Sequence, residues 1–347
     1  MRLRYLFFAF VFVSLFMHST WSYLIPYCET TSQYWFLANN REWKTKTKIL
    51  ILGDSQIVSG LRPETIAEIE QVRVDEVLYL PKPSQQPEGI YSDTLLALQR
   101  LPNLRKVYVN LSPLNTSKNS ITDAHKQAYV SFGPFQTIDF RDPLLRKVYY
   151  SSVTDLIWKM VIQTFPYFGL SSNLNRIFYD RSVQSDLNKR QLEWENIQRS
   201  MEKESGAWIW KSIDSDPTIT KDEKFQNLDT KILAGKRDVS IELWTQSIQT
   251  WKQKNWEVVI LRIPFSPQME MDLKEKHANL VSEIFLDKIQ KESNFDQVKI
   301  FDFKESFVNE YQYFADLTHL NRKGRDVFAN LLKEKLLNHT HTSTKSM

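Results

Sequence analysis

Five short apolar runs, each followed by a turn-forming or polar residue, constrain the fold of this chain more than any other feature of its sequence. The runs lie at 48–52, 77–80, 106–111, 256–263 and 298–303. Such runs are typical of strands that are buried on both faces of a parallel sheet. Helical patterns lie between or after them, at 63–71, from Ser92 or Asp93 to about 101, at 239–254, at about 270–292, and from a cap at Asn321 to about 337. This alternation predicts an α/β fold with an open, mostly parallel five-stranded sheet and helices on both faces.

The alternation stops between about 116 and 237, where the patterns are mostly helical, as at 154–165 and 185–204. A segment of this length is too long for a bare loop. We therefore expect a helical insertion within a domain that spans 48–338. The polar stretch at 28–47 is interpreted as a linker, and 339–347 as a frayed tail.

The N-terminus carries a membrane or export signal. Arg2 and Arg4 precede an uncharged stretch at 5–28, whose core at 6–17 is almost wholly apolar. A spanning helix needs about 20 such residues. Residues 1–27 are interpreted as a retained signal anchor, and a cleaved signal peptide is the alternative. Positive residues stay on the cytoplasmic side, so both interpretations place the rest of the chain outside the cytoplasm, in a periplasm or at the cell surface.

Charge and cysteine content exclude some classes of protein. The formal net charge is only +4 over 347 residues, and the basic residues are interspersed with acidic ones. A dedicated nucleic-acid binder would show a concentrated basic face. Cys28 is the one cysteine, which excludes an internal disulfide framework and a cysteine-rich zinc site. His125 and His277 lack acidic or histidine partners at ligand spacing, so we expect no metal site.

The first candidate for chemistry is Gly53-Asp54-Ser55, directly after the first apolar run. A hydroxyl nucleophile needs an adjacent base and backbone donors that stabilise an oxyanion. A turn at the end of a buried strand would place Ser55 at the rim of the sheet. The alternative is an ordinary turn, because all three residue types are common in turns.

The second candidate is Asp316-Leu317-Thr318-His319, which follows the last strand and precedes the last helix. An aspartate three residues before a histidine can accept the Nδ1 hydrogen bond and fix the tautomer, so that Nε2 can take a proton from a serine. In open parallel sheets, ligands bind beyond the carboxyl ends of the strands. The two motifs are therefore expected at one edge of the sheet, where Ser55, His319 and Asp316 would form a catalytic triad.

Together these motifs resemble those of the SGNH (GDSL-type) hydrolases. The resemblance covers about 48–115 and 239–338, and it implies a flavodoxin-like sheet with Ser55 as nucleophile and Asp316 and His319 as its partners. The N-terminal anchor, the helical insertion and Ser112-Pro113 after the third strand are also similar to DltD-type proteins of D-alanine transfer to teichoic acids. A spirochaete family of uncharacterised, membrane-anchored SGNH-like proteins, the DUF1574 family, has a similar layout.

The chain departs from the SGNH pattern at the oxyanion donors. The family has a glycine after the second strand and Gly-x-Asn-Asp after the third, but here 111–115 reads Leu-Ser-Pro-Leu-Asn. Gly89 and Asn115 are the candidate substitutes. Loss of one oxyanion donor costs about 3–4 kcal/mol. Arg262, at the end of the fourth strand, would bind an anionic substrate or form an ion pair.

These observations predict a membrane-anchored serine esterase or O-acyltransferase that needs no cofactor. Its substrate would be an acylated glycan or lipid of the cell envelope. The alternative is a non-catalytic SGNH scaffold that binds an acyl carrier or a membrane acyltransferase. A third reading is that the motifs are coincidental in a plain α/β domain.

Overall fold

A computed structural model defines the fold. The residues that it describes are 2–20, 36–37, 42–82, 85–113, 142–149, 153–167, 187–207, 218–219, 238–275, 283, 286–287 and 298–343. The chain divides into two compact units, one made of Met1–Arg41 and Ile121–Lys203, and the other of Glu42–Ser120 and Glu204–Met347. The predicted insertion at about 116–237 is therefore split, because its larger part groups with the N-terminal segment.

The second unit contains a five-stranded parallel sheet, as predicted. Its strands are β1 (Ile49–Leu52), β2 (Val77–Tyr79), β3 (Lys106–Asn110), β4 (Glu257–Arg262) and β5 (Val298–Asp302). The strand order is β2-β1-β3-β4-β5, and every neighbouring pair is parallel. This is a common order of doubly wound sheets, and its direction reverses between β1 and β3. The carboxyl ends of β1 and β3 therefore form the crevice where such sheets bind ligands.

Helices of the second unit alternate with these strands, and further helices belong to the first unit. In chain order over the described residues they are α1 (Arg2–Thr20), α2 (Trp43–Lys46), α3 (Ser55–Gly60), α4 (Pro63–Glu70), α5 (Pro87–Arg100), α6 (Pro143–Tyr149), α7 (Val153–Thr164), α8 (Leu187–Lys203), α9 (Asp238–Gln253), α10 (Pro267–Glu275) and α11 (Arg322–Ser343). Short 3₁₀ turns lie at Val74–Glu76, Lys304–Phe307 and Tyr311–Tyr313.

Both faces of the sheet are covered, which explains the continuous apolar runs. Ile49 and Ile51 pack in one cluster with residues of α4, α10 and α11, such as Phe328. Leu50 and Leu52 point to the opposite face and are also fully buried. Helices α5 and α9 pack against each other.

Helices α5 and α11 each differ from the sequence expectation at one boundary. Helix α5 begins at Pro87 instead of Ser92 or Asp93, because proline is well suited to the first turn of a helix. Ser92 and Asp93 are buried within that helix. Helix α11 continues to Ser343, past the expected end at about 337.

The first unit contains α1, α6, α7 and α8. In α1, the window Leu3–Thr20 has a mean hydropathy of 1.5, and it is long and apolar enough to cross a membrane. The large side chains of α1 are mostly exposed, Phe12 at 69% among them.

Candidate active site

The turn after β1 places Ser55 at the carboxyl edge of the sheet. Gly53 has a φ of 141°, a backbone conformation that residues with a side chain rarely adopt. Asp54 is the N-cap of α3, and its carboxylate accepts a hydrogen bond from the Gln56 amide at 2.9 Å. Ser55 is the first residue of α3 and is partly exposed.

Asn110, the last residue of β3, holds this turn. Its Oδ1 accepts a hydrogen bond from the Asp54 amide at 3.0 Å, and its Nδ2 donates to Asp54 Oδ1 at 2.8 Å. Ser112 donates to Asp54 Oδ2 at 3.2 Å. A Cβ at Gly53 would lie 2.2 Å from Asn110 Oδ1. The amide group of Asn110 thus occupies the space that glycine leaves open.

Asp54 is a buried carboxylate with several hydrogen-bond donors. Burial raises its pKa above the ordinary value, while hydrogen bonds from Gln56, Asn110 and Ser112, and the charge of His319, act in the opposite direction. The C-terminal motif that carries His319 is therefore close enough to this turn for its charge to act on Asp54.

The loop after β2 supports the same turn from the other side. The Lys82 amide donates to the Gly53 carbonyl at 3.0 Å, and the Gly53 amide donates to Gln85 Oε1 at 3.3 Å. Gln85 Nε2 and Lys82 Nζ both donate to Asp93 Oδ2, at 2.6 Å and 2.5 Å. Burial raises the pKa of Asp93, and the charge and hydrogen bonds of Lys82 and Gln85 oppose the rise.

Asp316 and His319 form the predicted acid–imidazole pair. His319 Nδ1 lies 2.7 Å from Asp316 Oδ2. Asp316 Oδ1 accepts from the amides of Thr318 and His319, at 2.8 and 3.0 Å, and from the Thr318 hydroxyl at 3.0 Å. Burial acts to raise the pKa of Asp316, but the interactions with His319 and Thr318 outweigh it and lower the pKa below its ordinary value. The carboxylate is therefore held ionised, in position to orient the imidazole ring.

The segment that carries this pair is fixed at both ends. The Ser266 amide, after β4, donates to the Leu317 carbonyl at 3.1 Å. Asn321 caps α11 as predicted, because its Oδ1 accepts from the Gly324 amide at 2.9 Å. The Ala315 amide donates to the His319 carbonyl at 2.9 Å. These bonds fix the loop that holds His319.

Ser55 and His319 share no hydrogen bond within the described parts of the chain. Hydrogen bonds between a nucleophile and its base are often long in a free enzyme and tighten when substrate binds. The charge of His319 nevertheless acts on the carboxyl of Asp54, the residue before Ser55.

The oxyanion donors are the least complete part of the site. In the Ser55 turn, the amides of Gln56, Ile57 and Val58 donate to Asp54, and the Ser55 amide has no acceptor among the described residues. The Gly89 amide donates to the Gln86 carbonyl at 2.9 Å within the first turn of α5. The Gly89 amide is therefore engaged within α5 in this structure, its role as an oxyanion donor stays a prediction, and Asn115 lies outside the described residues.

Arg262 forms an ion pair, which is the second of the two alternatives expected from the sequence. Its Nη1 lies 2.8 Å from Asp302 Oδ2 at the end of β5. Its Nη2 is buried and has no hydrogen-bond partner among the described residues. A cavity of about 470 Å³ opens near this pair at the same edge of the sheet, with Phe265, Glu270 and Lys304 in its lining.

Among the residues that the structure describes, no group of three or more His, Cys, Asp and Glu side chains could hold a metal ion. Sequence reasoning missed Asn110, Lys82, Gln85 and Asp93 as residues that position the Ser55 turn. A signal existed for Asn110, because an amide side chain ends an otherwise apolar strand. Nothing local indicated the other three.

No model of a known protein family matches this sequence, and no curated protein matches it either. Fold and site define the chain as an α/β protein with a parallel 2-1-3-4-5 sheet. An acid–imidazole pair and a strand-end serine turn lie beyond the carboxyl ends of its strands.

Proposed function

We propose that this protein is a membrane-anchored serine esterase or O-acyltransferase of SGNH type. The observation that carries the proposal is the His319–Asp316 pair, whose Nδ1 and Oδ2 atoms lie 2.7 Å apart, with the charge of His319 acting on Asp54 beside Ser55. The order of the motifs supports it as well, since the serine follows β1 and the acid and base follow β5.

The proposed chemistry uses only groups of this chain. Ser55 Oγ attacks an acyl carbonyl carbon while His319 Nε2 takes its proton, and the negative charge develops on the carbonyl oxygen near the Ser55 amide. Asp316 stabilises the imidazolium that forms. The tetrahedral intermediate collapses, His319 returns the proton to the departing alkoxide, and an acyl ester on Ser55 remains. Water or an acceptor hydroxyl then attacks this ester, which gives hydrolysis or acyl transfer.

The proposed substrate is an O-acyl group on a glycan or lipid of the cell envelope. Helix α1 is long and apolar enough to span a bilayer, and a tethered enzyme acts on molecules near the membrane surface. The arginines that precede the apolar core of α1 favour a domain outside the cytoplasm.

A fluorophosphonate probe tests the proposal on the full chain in detergent micelles. The wild type is expected to be labelled, Ser55→Ala is not, and Ser59→Ala, one turn along α3, keeps its labelling. A cleaved acyl ester, such as an acetylated sugar, gives an independent measurement of turnover. Labelling that survives in Ser55→Ala would overturn the assignment of the nucleophile.

The second candidate function is a non-catalytic scaffold that binds an acyl carrier or a membrane acyltransferase. Amide donors near the site that already hydrogen-bond within the protein favour it, because they do not face an oxyanion. Asn110 Nδ2 donates to Asp54, and the Gly89 amide donates to Gln86. For a scaffold, the folded wild type stays unlabelled, and a membrane acyltransferase or acyl carrier co-purifies equally well with wild type and Ser55→Ala.

A further inference from the structure

The C-terminal end of α7 and the residues after it contact α1 within the first unit. The rings of Phe10 and Phe165 meet edge to face, with centroids 5.1 Å apart. The Ser14 hydroxyl donates to the Thr164 carbonyl at 2.8 Å. The hydroxyls of Thr20 and Tyr167 lie 2.5 Å apart. The residues at and after the end of α7 thus follow α1 over its second half.

One face of α1 is partly buried and the rest is exposed. Val11, Ser14, Met17 and His18 are partly buried, at the three- and four-residue spacing of a helix face. Most side chains between and before them remain exposed, such as Phe12 at 69%. The partly buried face contains Ser14. In an apolar medium, the Thr164 carbonyl gives the Ser14 hydroxyl an acceptor outside α1.

The depth of these contacts in a membrane follows from the length of α1. The window Leu3–Thr20 has 18 residues, about 27 Å at about 1.5 Å per residue, which is close to the hydrocarbon thickness of about 30 Å. Its centre falls between Val11 and Phe12. Phe10 and Ser14 lie within one helical turn of that centre, so their partners Phe165 and Thr164 lie at the same depth.

The carbonyl and the hydroxyl of Thr164, at the end of α7, are paired in a way that suits hydrocarbon. The last carbonyls of a helix lack intrahelical partners, and an unpaired polar group in a bilayer costs several kcal/mol. Ser14 supplies a donor to the Thr164 carbonyl. The Thr164 hydroxyl donates to the Met160 carbonyl at 2.8 Å. Pro166, which follows Phe165, has no backbone donor.

Helix α7 also has exposed apolar side chains of its own. Val153, Ile157 and Met160 are 74%, 57% and 59% exposed. Their spacing of four and then three residues places them on one face of the helix. This face is apolar, like the exposed side chains of α1, which the end of α7 contacts.

We propose that α7 and the residues after it, to Tyr167, lie in the lipid bilayer beside α1, with Val153, Ile157 and Met160 against lipid acyl chains. The inference rests on the proposed membrane anchor. It makes the helical insertion a second membrane attachment of this chain.

The test uses the full chain with Cys28→Ser, reconstituted in vesicles of phosphatidylcholine and phosphatidylglycerol. An NBD fluorophore is attached through Met160→Cys, and quenching by doxyl-labelled lipids is measured. Met271→Cys is the matched control, because Met271 is 53% exposed and lies in the second unit. Phe12→Cys reports on α1 itself.

The expected result is several-fold stronger lipid quenching at Met160 than at Met271, together with slower reaction of Met160→Cys with a water-soluble maleimide. Ile157→Cys and Leu192→Cys, both at positions 57% exposed, repeat the comparison within the first unit. If Phe12 is quenched and Met160 is quenched no more than Met271, the inference fails while the anchor stands. If Phe12 is not quenched either, the anchor fails and the inference fails with it.

Discussion

Asn110 and Asp54 exchange two hydrogen bonds across the carboxyl edge of the sheet. The Asp54 amide donates to Asn110 Oδ1 at 3.0 Å, and Asn110 Nδ2 donates to Asp54 Oδ1 at 2.8 Å. Both side chains are buried. The pair therefore ties the end of β3 to the turn that positions Ser55.

Replacing Asn110 tests this relationship. Asn110→Ala leaves the Asp54 amide without its acceptor and removes a donor from a buried carboxylate. Such hydrogen bonds contribute about 1.5–3 kcal/mol each when a charged group takes part, so we expect a loss of about 2–4 kcal/mol in the free energy of unfolding. Denaturant titration of the detergent-solubilised chain measures it. Asn103→Ala, at an exposed position, should change it by less than about 1 kcal/mol.

Gly53 is predicted to be irreplaceable for a steric reason. Gly53→Ala would place a Cβ 2.2 Å from Asn110 Oδ1 at a positive φ, so we expect a cost of about 3 kcal/mol or more and a displaced Asn110. The control is Gly60→Ala, where the nearest atom to a Cβ is 3.4 Å away. Because alanine is favoured over glycine in helices by about 1 kcal/mol, that variant should have a thermal midpoint equal to or above the wild type. Equal midpoints for the two variants would contradict the steric argument.

Asp316→Asn tests the orientation of His319. Asparagine keeps an oxygen for the amides of Thr318 and His319, so the fold should persist. It presents the wrong group to the imidazole, an effect of about 10⁴ in the rate of a serine hydrolase. We expect fluorophosphonate labelling to slow by about this factor with an unchanged thermal midpoint. Asp326→Asn, at an exposed position of α11, should label like the wild type, and equal rates for both variants would remove Asp316 from the proposed triad.

The raised pKa of Glu270 predicts that the stability of the fold depends on pH. Burial raises its pKa to about 7, against hydrogen bonding from the Phe265 amide and the charges of Lys304 and Arg262, while Asp302 adds to the rise. An unfolded glutamate has a pKa of about 4.3. Between these pH values the native state binds more protons than the unfolded state. The stabilising contribution of protonated Glu270 is therefore complete below about pH 4.3 and is lost as pH rises through about 7.

The measurement compares Glu270→Gln with the wild type at pH 5 and pH 8. The free energy of unfolding of the variant minus that of the wild type should be larger at pH 8 than at pH 5, by at most about 3 kcal/mol. Glu275→Gln, at an exposed position of the same helix, should show the same pH dependence as the wild type. A difference of the opposite sign would mean that Glu270 is ionised and stabilised by Lys304 in the native state.

The sequence was most informative where structure depends on neighbouring residues. The apolar runs predicted all five strands to within one or two residues, and Asn321 was correctly assigned as the cap of α11. The short spacing of Asp316 and His319 was sufficient to predict their hydrogen bond. The start of α5 at Pro87 was not predicted, and it places the Gly89 amide in a hydrogen bond of the first helical turn, so the oxyanion role of Gly89 stays a prediction.

The sequence by itself therefore determined the strand–helix alternation, the apolar N-terminal helix and the acid–imidazole pair. Each of these is a local pattern of burial or a contact across three residues. Only the tertiary structure decided that Asn110 holds Asp54, since β3 lies beside β1 in the sheet and brings together residues that are 56 positions apart. It also decided that the helical insertion packs with α1, because contacts such as Ser14–Thr164 span 150 positions. No periodicity in the sequence encodes a contact at that distance.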